Sequence, residues 1–209
     1  MKLGFIFSHG WAFNKSYWDN LLPHFKEHPC IVLDHGYYGL EYLPQADKKI
    51  HWIGVGHSLG LVKLLQSKNT FKALIGLQAF NNFLASDKSL NRRRTLELTI
   101  MKKNFNESPK NTIESFNGIV ANNIDFYRMT NDLNLLSYTH VSLFEKFSEL
   151  PILILYTADD EVVPVDILEE NFKNYPNVQL KKMPNSKHLL GFLNSEQVAI
   201  SIKEFLKCF

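Results

Sequence analysis

Gly56-His57-Ser58-Leu59-Gly60 follows the β-forming run Ile50-His51-Trp52-Ile53-Gly54-Val55 and precedes a segment with Leu61, Leu64 and Leu65 at helical spacing. A GxSxG pentapeptide between a strand and a helix is the context in which a serine is presented at a sharp bend. Such a bend holds the serine in a strained backbone conformation with its hydroxyl exposed, and glycines at 56 and 60 keep bulk out of the crowded corner. The stretch therefore predicts a nucleophilic Ser58.

Outward from this turn, strand-like and helix-like segments alternate. Strands are expected at 3–8, 30–34, 50–55 and 73–79, with helices at 18–27 and 59–68. The pattern resumes with a strand at 151–156, a helix at 165–174, a strand at 178–182 and a last helix at 195–206. This alternation predicts an α/β protein with a mostly parallel sheet flanked by helices. Between 81 and 149 the chain is polar and lacks strong β runs. Its apolar residues recur at helical intervals, as in Leu96, Ile100 and Phe105 or Leu133, Leu136 and Val141. A compact domain rarely carries a structureless loop of that length. Residues 81–149 are thus expected to form a helical cap inserted between strands, with 1–80 and 150–209 as the core.

The chain of 209 residues is 45% hydrophobic, enough for one substantial core. A formal charge of +2 is too mild for nucleic acid as the main partner. Two cysteines, Cys30 and Cys208, do not suggest a disulfide framework, which points to a reducing cytoplasm. The apolar run at the N-terminus is broken by Ser8-His9-Gly10, and no stretch approaches a membrane span. A cytoplasmic monomer is expected.

A serine hydroxyl needs a positioned base, and the base an acid that orients it. Among the eight histidines only His140 and His188 follow Ser58, and His140 falls in the expected cap. His188 lies in the loop after the last strand, where a base can overhang the edge of the sheet. The acid is expected at the end of the preceding strand, where Asp159, Asp160 and Glu161 are adjacent. Asp160-Glu161-Val162-Val163-Pro164 has DxxVP spacing and places Pro164 at the start of the next helix, which favours Asp160 with Asp159 as the second option. Helix capping is the expected role of whichever aspartate is not the acid. Backbone amides stabilise an oxyanion; Leu59 after the serine and Trp11 after Ser8-His9-Gly10 are the candidates. His9 and His57 read as structural, hydrogen-bonded histidines. This chemistry requires neither a metal nor a redox cofactor.

With these residues the chain resembles the α/β-hydrolase superfamily over nearly its whole length, entering at what would be that family's third strand. Within it, the pimeloyl-acyl-carrier-protein methyl ester esterase group is the nearest likeness. It rests on His9-Gly10-Trp11 with Trp18 soon after, Gly56 to Gly60, the 156–164 run, and Lys187-His188 followed by apolar residues. The chain departs from that group in having His57 where tryptophan often precedes the serine, and Leu61 where a second glycine often follows. The resemblance implies the α/β-hydrolase fold and a Ser58-Asp160-His188 triad with Trp11 and Leu59 as oxyanion donors. It also implies hydrolysis of the methyl ester of a pimeloyl chain on acyl carrier protein, a step toward the biotin precursor. All four arginines lie in the expected cap, and 88–110 carries seven basic residues against Glu97 and Glu107. Arg92, Arg93, Arg94 and Lys102 are therefore candidates for docking an acidic carrier protein, and Phe83 for substrate contact. A solvated helix face is the alternative reading of that charge run. Trp11, Phe13, Phe80, Phe83 and Phe116 are candidates to line an acyl channel. A small-molecule esterase or thioesterase, and a non-enzymatic ligand-binding member of the fold, are the competing functions.

Overall fold

A computed structural model describes residues 2–208. Six strands form one sheet: β1 (Lys2–Ser8), β2 (Cys30–Leu33), β3 (Ile50–His57), β4 (Ala73–Leu77), β5 (Ile152–Tyr156) and β6 (Val178–Lys182). Their order is β2-β1-β3-β4-β5-β6, and every neighbouring pair is parallel. The helices are α1 (Leu59–Gln66), α2 (Lys88–Glu107), α3 (Pro109–Asn117), α4 (Phe126–Leu135), α5 (Leu143–Lys146), α6 (Val165–Phe172), α7 (Leu190–Leu193) and α8 (Ser195–Leu206). Helices α2 to α5 all lie between β4 and β5. Among the described residues no helix is long and apolar enough to cross a membrane.

Both faces of the sheet are covered, so its inner strands read as nearly continuous apolar runs, while the edge strand β6 alternates Val178 and Leu180 with polar residues. Side-chain alternation divides them between two cores. Phe5, Phe7, Ile53, Val55, Ile75, Leu77, Leu153 and Leu155 pack with Trp18, Phe25 and the α8 residues Val198, Ile202 and Phe205. On the opposite face Ile6, Trp52, Leu74, Ile152 and Ile154 meet Leu61, Leu64 and Leu65 of α1 and Leu168 and Phe172 of α6. A third core joins the inter-strand helices to the strand ends, with Trp11, Leu59 and Phe80 against Leu98, Phe105, Ile113, Met129 and Leu133.

Two local expectations are corrected. The segment 18–27 is not an α-helix; it forms two 3-10 turns, Lys15–Trp18 and Leu22–Phe25. Pro23 lacks the N–H that a continuous helix would need there, and Asn14 caps the first turn by accepting from the Ser16 amide. In α2 the stripe Leu96–Ile100 faces outward; the buried side carries Arg94, Leu98 and Phe105.

Candidate active site

Because all strands run parallel, their C-terminal ends share one edge, and the loops leaving that edge converge. At the end of β3, Ser58 adopts φ 52° and ψ −124°, a left-handed conformation that a non-glycine residue rarely takes. Its amide donates to the Leu77 carbonyl at 3.0 Å, tying the bend to β4. The glycines on either side have a steric cause. A Cβ on Gly56 would lie 2.4 Å from the Leu61 nitrogen, and one on Gly60 would lie 2.0 Å from the Ser8 carbonyl oxygen. Helix α1 thus starts directly against the end of β1. A Cβ on Gly10 would lie 3.0 Å from the Ser58 Cβ, so the loop after β1 also passes beside the serine.

Two amides border this corner. Neither the Leu59 nor the Trp11 N–H is engaged among the described residues. The Trp11 side chain is fixed elsewhere: its indole Nε1 donates to the Met129 carbonyl at 3.0 Å, and its ring meets Phe105 and Phe116 edge-on. Two free amides beside a strained serine form the kind of donor set that stabilises negative charge on an oxygen.

His188 and Asp160 come together from the loops after β6 and β5. His188 Nδ1 lies 2.8 Å from Asp160 Oδ2. A carboxylate only accepts, so Nδ1 carries the proton and Nε2 keeps a lone pair. Asp160 Oδ1 accepts from the amides of Val162 at 2.8 Å and Val163 at 3.0 Å, which fixes the carboxylate at the approach to α6. Asp159, the alternative acid, does not face the ring. It accepts from the Ser186 and Lys187 amides at 3.3 and 3.1 Å and so holds the loop that carries His188. Nε2 of His188 is buried without a hydrogen-bond partner, and the Ser58 hydroxyl forms no hydrogen bond among the described residues. A donor and an acceptor thus stand unpaired on adjacent loops.

His57 is wholly buried, stacked on Tyr17 at 4.2 Å, with its ring 4.7 Å from that of His188. Its Nε2 donates to the His188 carbonyl at 3.1 Å, which places the proton on that nitrogen. Burial, reinforced by the neighbouring His188, pushes the His57 imidazole well below its ordinary range, so it stays neutral. His9 is also buried; its Nδ1 contacts the Gly10 carbonyl at 2.9 Å and its Nε2 accepts from the His35 amide at 3.1 Å. Tyr17, which the sequence pattern does not single out, accepts from the Gly191 amide at 3.1 Å, just past His188. His140 is exposed in an isolated bridge to Asn82.

The inter-strand helices roof the corner. Phe116 of α3 meets Trp11, Phe13 and His188, with its ring centroid 6.1 Å from that of His188. On its other side Phe116 lines a cleft of about 600 Å³ between α2 and α3. A smaller cavity of about 190 Å³ lies beside Phe13, Tyr17 and Leu189. Phe80 and Phe83 pack edge-on within the third core.

The basic residues of α2 do not act as a group. Arg92 is exposed, and Arg93 pairs with Asp166 at 2.8 Å. Lys102 donates to the Ser137 hydroxyl at 2.5 Å. Arg94 corrects the expectation of a docking role. It is 2% exposed, donates to the Val162 carbonyl at 2.7 Å and Glu97 at 2.6 Å, and lies over the Phe83 ring at 4.1 Å. Its charge ties α2 to the loop beyond Asp160. Among the described residues no group of three or more His, Cys, Asp or Glu side chains is placed to hold a metal ion.

No protein-family model matches the chain, and no curated protein sequence matches it. Solved structures do. An esterase from Exiguobacterium antarcticum aligns with a TM-score of 0.78 at 14% identity over 98% of this chain and 92% of its own. MenH from S. aureus aligns at 0.73 and 16% identity, over 98% and 93%. A lipase-esterase related protein from Clostridium acetobutylicum aligns at 0.66 and 19% identity, covering 98% of both chains. The chain has the α/β-hydrolase fold. At these identities the likeness speaks for architecture, and the chemistry has to be argued from the residues.

Proposed function

We propose that this protein is a serine carboxylesterase. The observation that carries the reading is the corner itself: a left-handed Ser58 beside two unengaged amides, with His188 hydrogen-bonded to Asp160 from the neighbouring loops. Ser58 Oγ attacks the ester carbonyl as its proton passes to His188 Nε2. The oxyanion takes hydrogen bonds from the Trp11 and Leu59 amides. Asp160 keeps the imidazole in the required tautomer and balances its charge. As the tetrahedral intermediate collapses, the alcohol leaves with the proton from His188. Water, deprotonated by the same nitrogen, then releases the acid from Ser58. The unpaired His188 Nε2 and Ser58 hydroxyl are joined by a rotation of the serine side chain when substrate arrives; such bonds often tighten only in the complex.

The narrower substrate, the methyl ester of a pimeloyl chain on acyl carrier protein, is implied by the sequence resemblance. On that reading the exposed Arg92 is available to an acidic partner, Arg93 and Lys102 would have to exchange their bonds to Asp166 and Ser137, and the buried Arg94 is not available. Labelling with a fluorophosphonate tests the chemistry: an adduct on Ser58, absent in Ser58→Ala, is expected. No adduct on the folded protein refutes the esterase reading. Methyl pimeloyl-acyl carrier protein left intact while free p-nitrophenyl esters turn over refutes the narrower one.

A further inference from the structure

Gln78 stands at the end of β4 in the left-handed region, at φ 49°, although it is not a glycine, and its side chain is completely buried. Strain of this kind persists only where surrounding contacts over-determine it. Here the contacts lead to one place. Gln78 Oε1 accepts from the Leu190 amide at 2.8 Å. A backbone N–H can only donate, so the other half of the amide must be the NH2 group. That nitrogen donates to the Lys187 carbonyl and, at 3.1 Å, to Thr157 Oγ1. Thr157 in turn donates to the same Lys187 carbonyl at 3.2 Å. Lys187 is itself left-handed, at φ 47°. One side chain therefore grips the residue before His188 and the residue two positions after it, from the end of the strand beside β3, which leads into Ser58.

We infer that Gln78 is a positioning residue, which sets the His188 ring toward Ser58 by clamping the backbone on both sides of the base. The inference rests on the serine-hydrolase reading. It assigns to Gln78 no contact with substrate; its effect passes through the loop. The bond that His57 donates to the His188 carbonyl and those that Asp159 accepts from the Ser186 and Lys187 amides hold the same loop from other directions. Among the described residues only Gln78 spans His188 from one point.

The test is Gln78→Glu, nearly isosteric, in the full chain. Burial raises the pKa of the new carboxyl, so the assay is run at a pH where it is ionised; one oxygen then still accepts from Leu190, while the other faces the Lys187 carbonyl, acceptor against acceptor, and pushes it away. A displacement of roughly 1 Å at a catalytic group costs about 10²-fold in rate. Turnover of a p-nitrophenyl ester is expected to fall by about that factor, with KM within about twofold of wild type. The downfield proton resonance of the His188–Asp160 hydrogen bond should shift or broaden, which a role confined to folding would not cause. Thr157→Val removes one arm of the clamp without removing bulk and should lower kcat by about tenfold. If Gln78→Glu does not fold, Thr157→Val decides. A folded variant with kcat within about threefold of wild type and an unmoved resonance overturns the inference, as does a rise in KM at constant kcat. Wild type that does not label at Ser58 overturns the hydrolase reading and this inference with it. Labelled, active wild type beside an unimpaired Gln78→Glu overturns this inference alone.

Discussion

Replacing Gly60 by alanine loads the contact between the start of α1 and the end of β1, on which the site corner is built. The new Cβ would fall 2.0 Å from the Ser8 carbonyl oxygen, 2.7 Å from its carbon and 2.8 Å from the His9 oxygen. Real Cβ contacts essentially never fall below 3.0 Å, so α1 and β1 must separate by at least 1.0 Å. All three neighbours are backbone atoms in or beside a central strand, and no side chain can swing aside. Overpacking in a rigid core costs about 3 kcal/mol at its upper range. For a chain of this size that lowers Tm by about 6–12 °C. The same separation carries the loop of Gly10 and Trp11 away from Ser58, so labelling of Ser58 should slow by about 10²-fold even well below Tm. Thermal unfolding followed by circular dichroism, with labelling rates at 20 °C, measures both. Gly39→Ala, where a Cβ meets nothing within 4 Å, is the control and should change neither. A Gly60→Ala protein that melts with wild type and labels at the wild-type rate refutes the close approach of α1 to β1, and with it this account of the corner.

Asp160→Asn should keep the two amide contacts to Val162 and Val163 but favour the wrong His188 tautomer, lowering kcat by about 10⁴-fold with little change in KM, as read from ester turnover. Burial pushes His57 and His35 well below the ordinary histidine range, so the native state keeps them neutral while the unfolded chain protonates them below about pH 6.5. Their stabilisation is therefore complete above that pH and is lost as pH falls toward the folded values, at about 1.4 kcal/mol per pH unit for each group. Urea unfolding at pH 7.5 and 5.5 should show His57→Gln losing less stability on acidification than wild type; equal losses would contradict the neutral buried imidazole. Arg94→Met should cost about 2–3 kcal/mol, because the Val162 and Phe83 carbonyls lose their donor and Glu97 keeps only its longer pair with Arg93, whereas Arg92→Ala should stay within about 0.5 kcal/mol by the same measurement.

What the sequence makes legible follows from burial. The inner strands can be read from it because a sheet covered on both faces writes them as apolar runs, and the edge strand β6 because Val178 and Leu180 alternate with Gln179 and Lys181. Helix α8 can be read because Val198, Ile202 and Phe205 recur on one face against that sheet. The 3-10 turns are misread as a helix because Trp18 and Leu21 have helical spacing, and Pro23 decides otherwise. The inward face of α2 is misread for a better reason. An arginine at position 94 argues against burial until its partners are known, and the Phe83 and Val162 carbonyls are neighbours only in the folded chain. Ser58, Asp160 and His188 stand out through a motif and an order along the chain, whereas the separate tasks of Asp159 and Asp160 depend on which loop amides each one meets. Gln78 and Tyr17 have no signal in the sequence, since their bonds reach Lys187, Leu190 and Gly191 more than a hundred residues away.

The backbone strain of the molecule has a location. Among the described residues five that are not glycine have positive φ, namely Ala12, Ser58, Gln78, Ala85 and Lys187. Four of them lie beyond the ends of β1, β3, β4 and β6, on the single edge that a parallel sheet creates. Each such conformation costs about 1–3 kcal/mol, and a sequence under selection for stability alone would place glycine there. The compensation is visible at three of the four. The Ala12 carbonyl accepts from Tyr38 and Asn117, the Lys187 carbonyl accepts from Gln78 and Thr157, and Gln78 uses its whole amide. Ser58 has no such return from its side chain. Its hydroxyl stands without a partner among the described residues, facing the equally unpaired His188 Nε2 and bordered by the unengaged amides of Trp11 and Leu59, and strain kept for a group the fold does not satisfy is what a site awaiting a substrate requires.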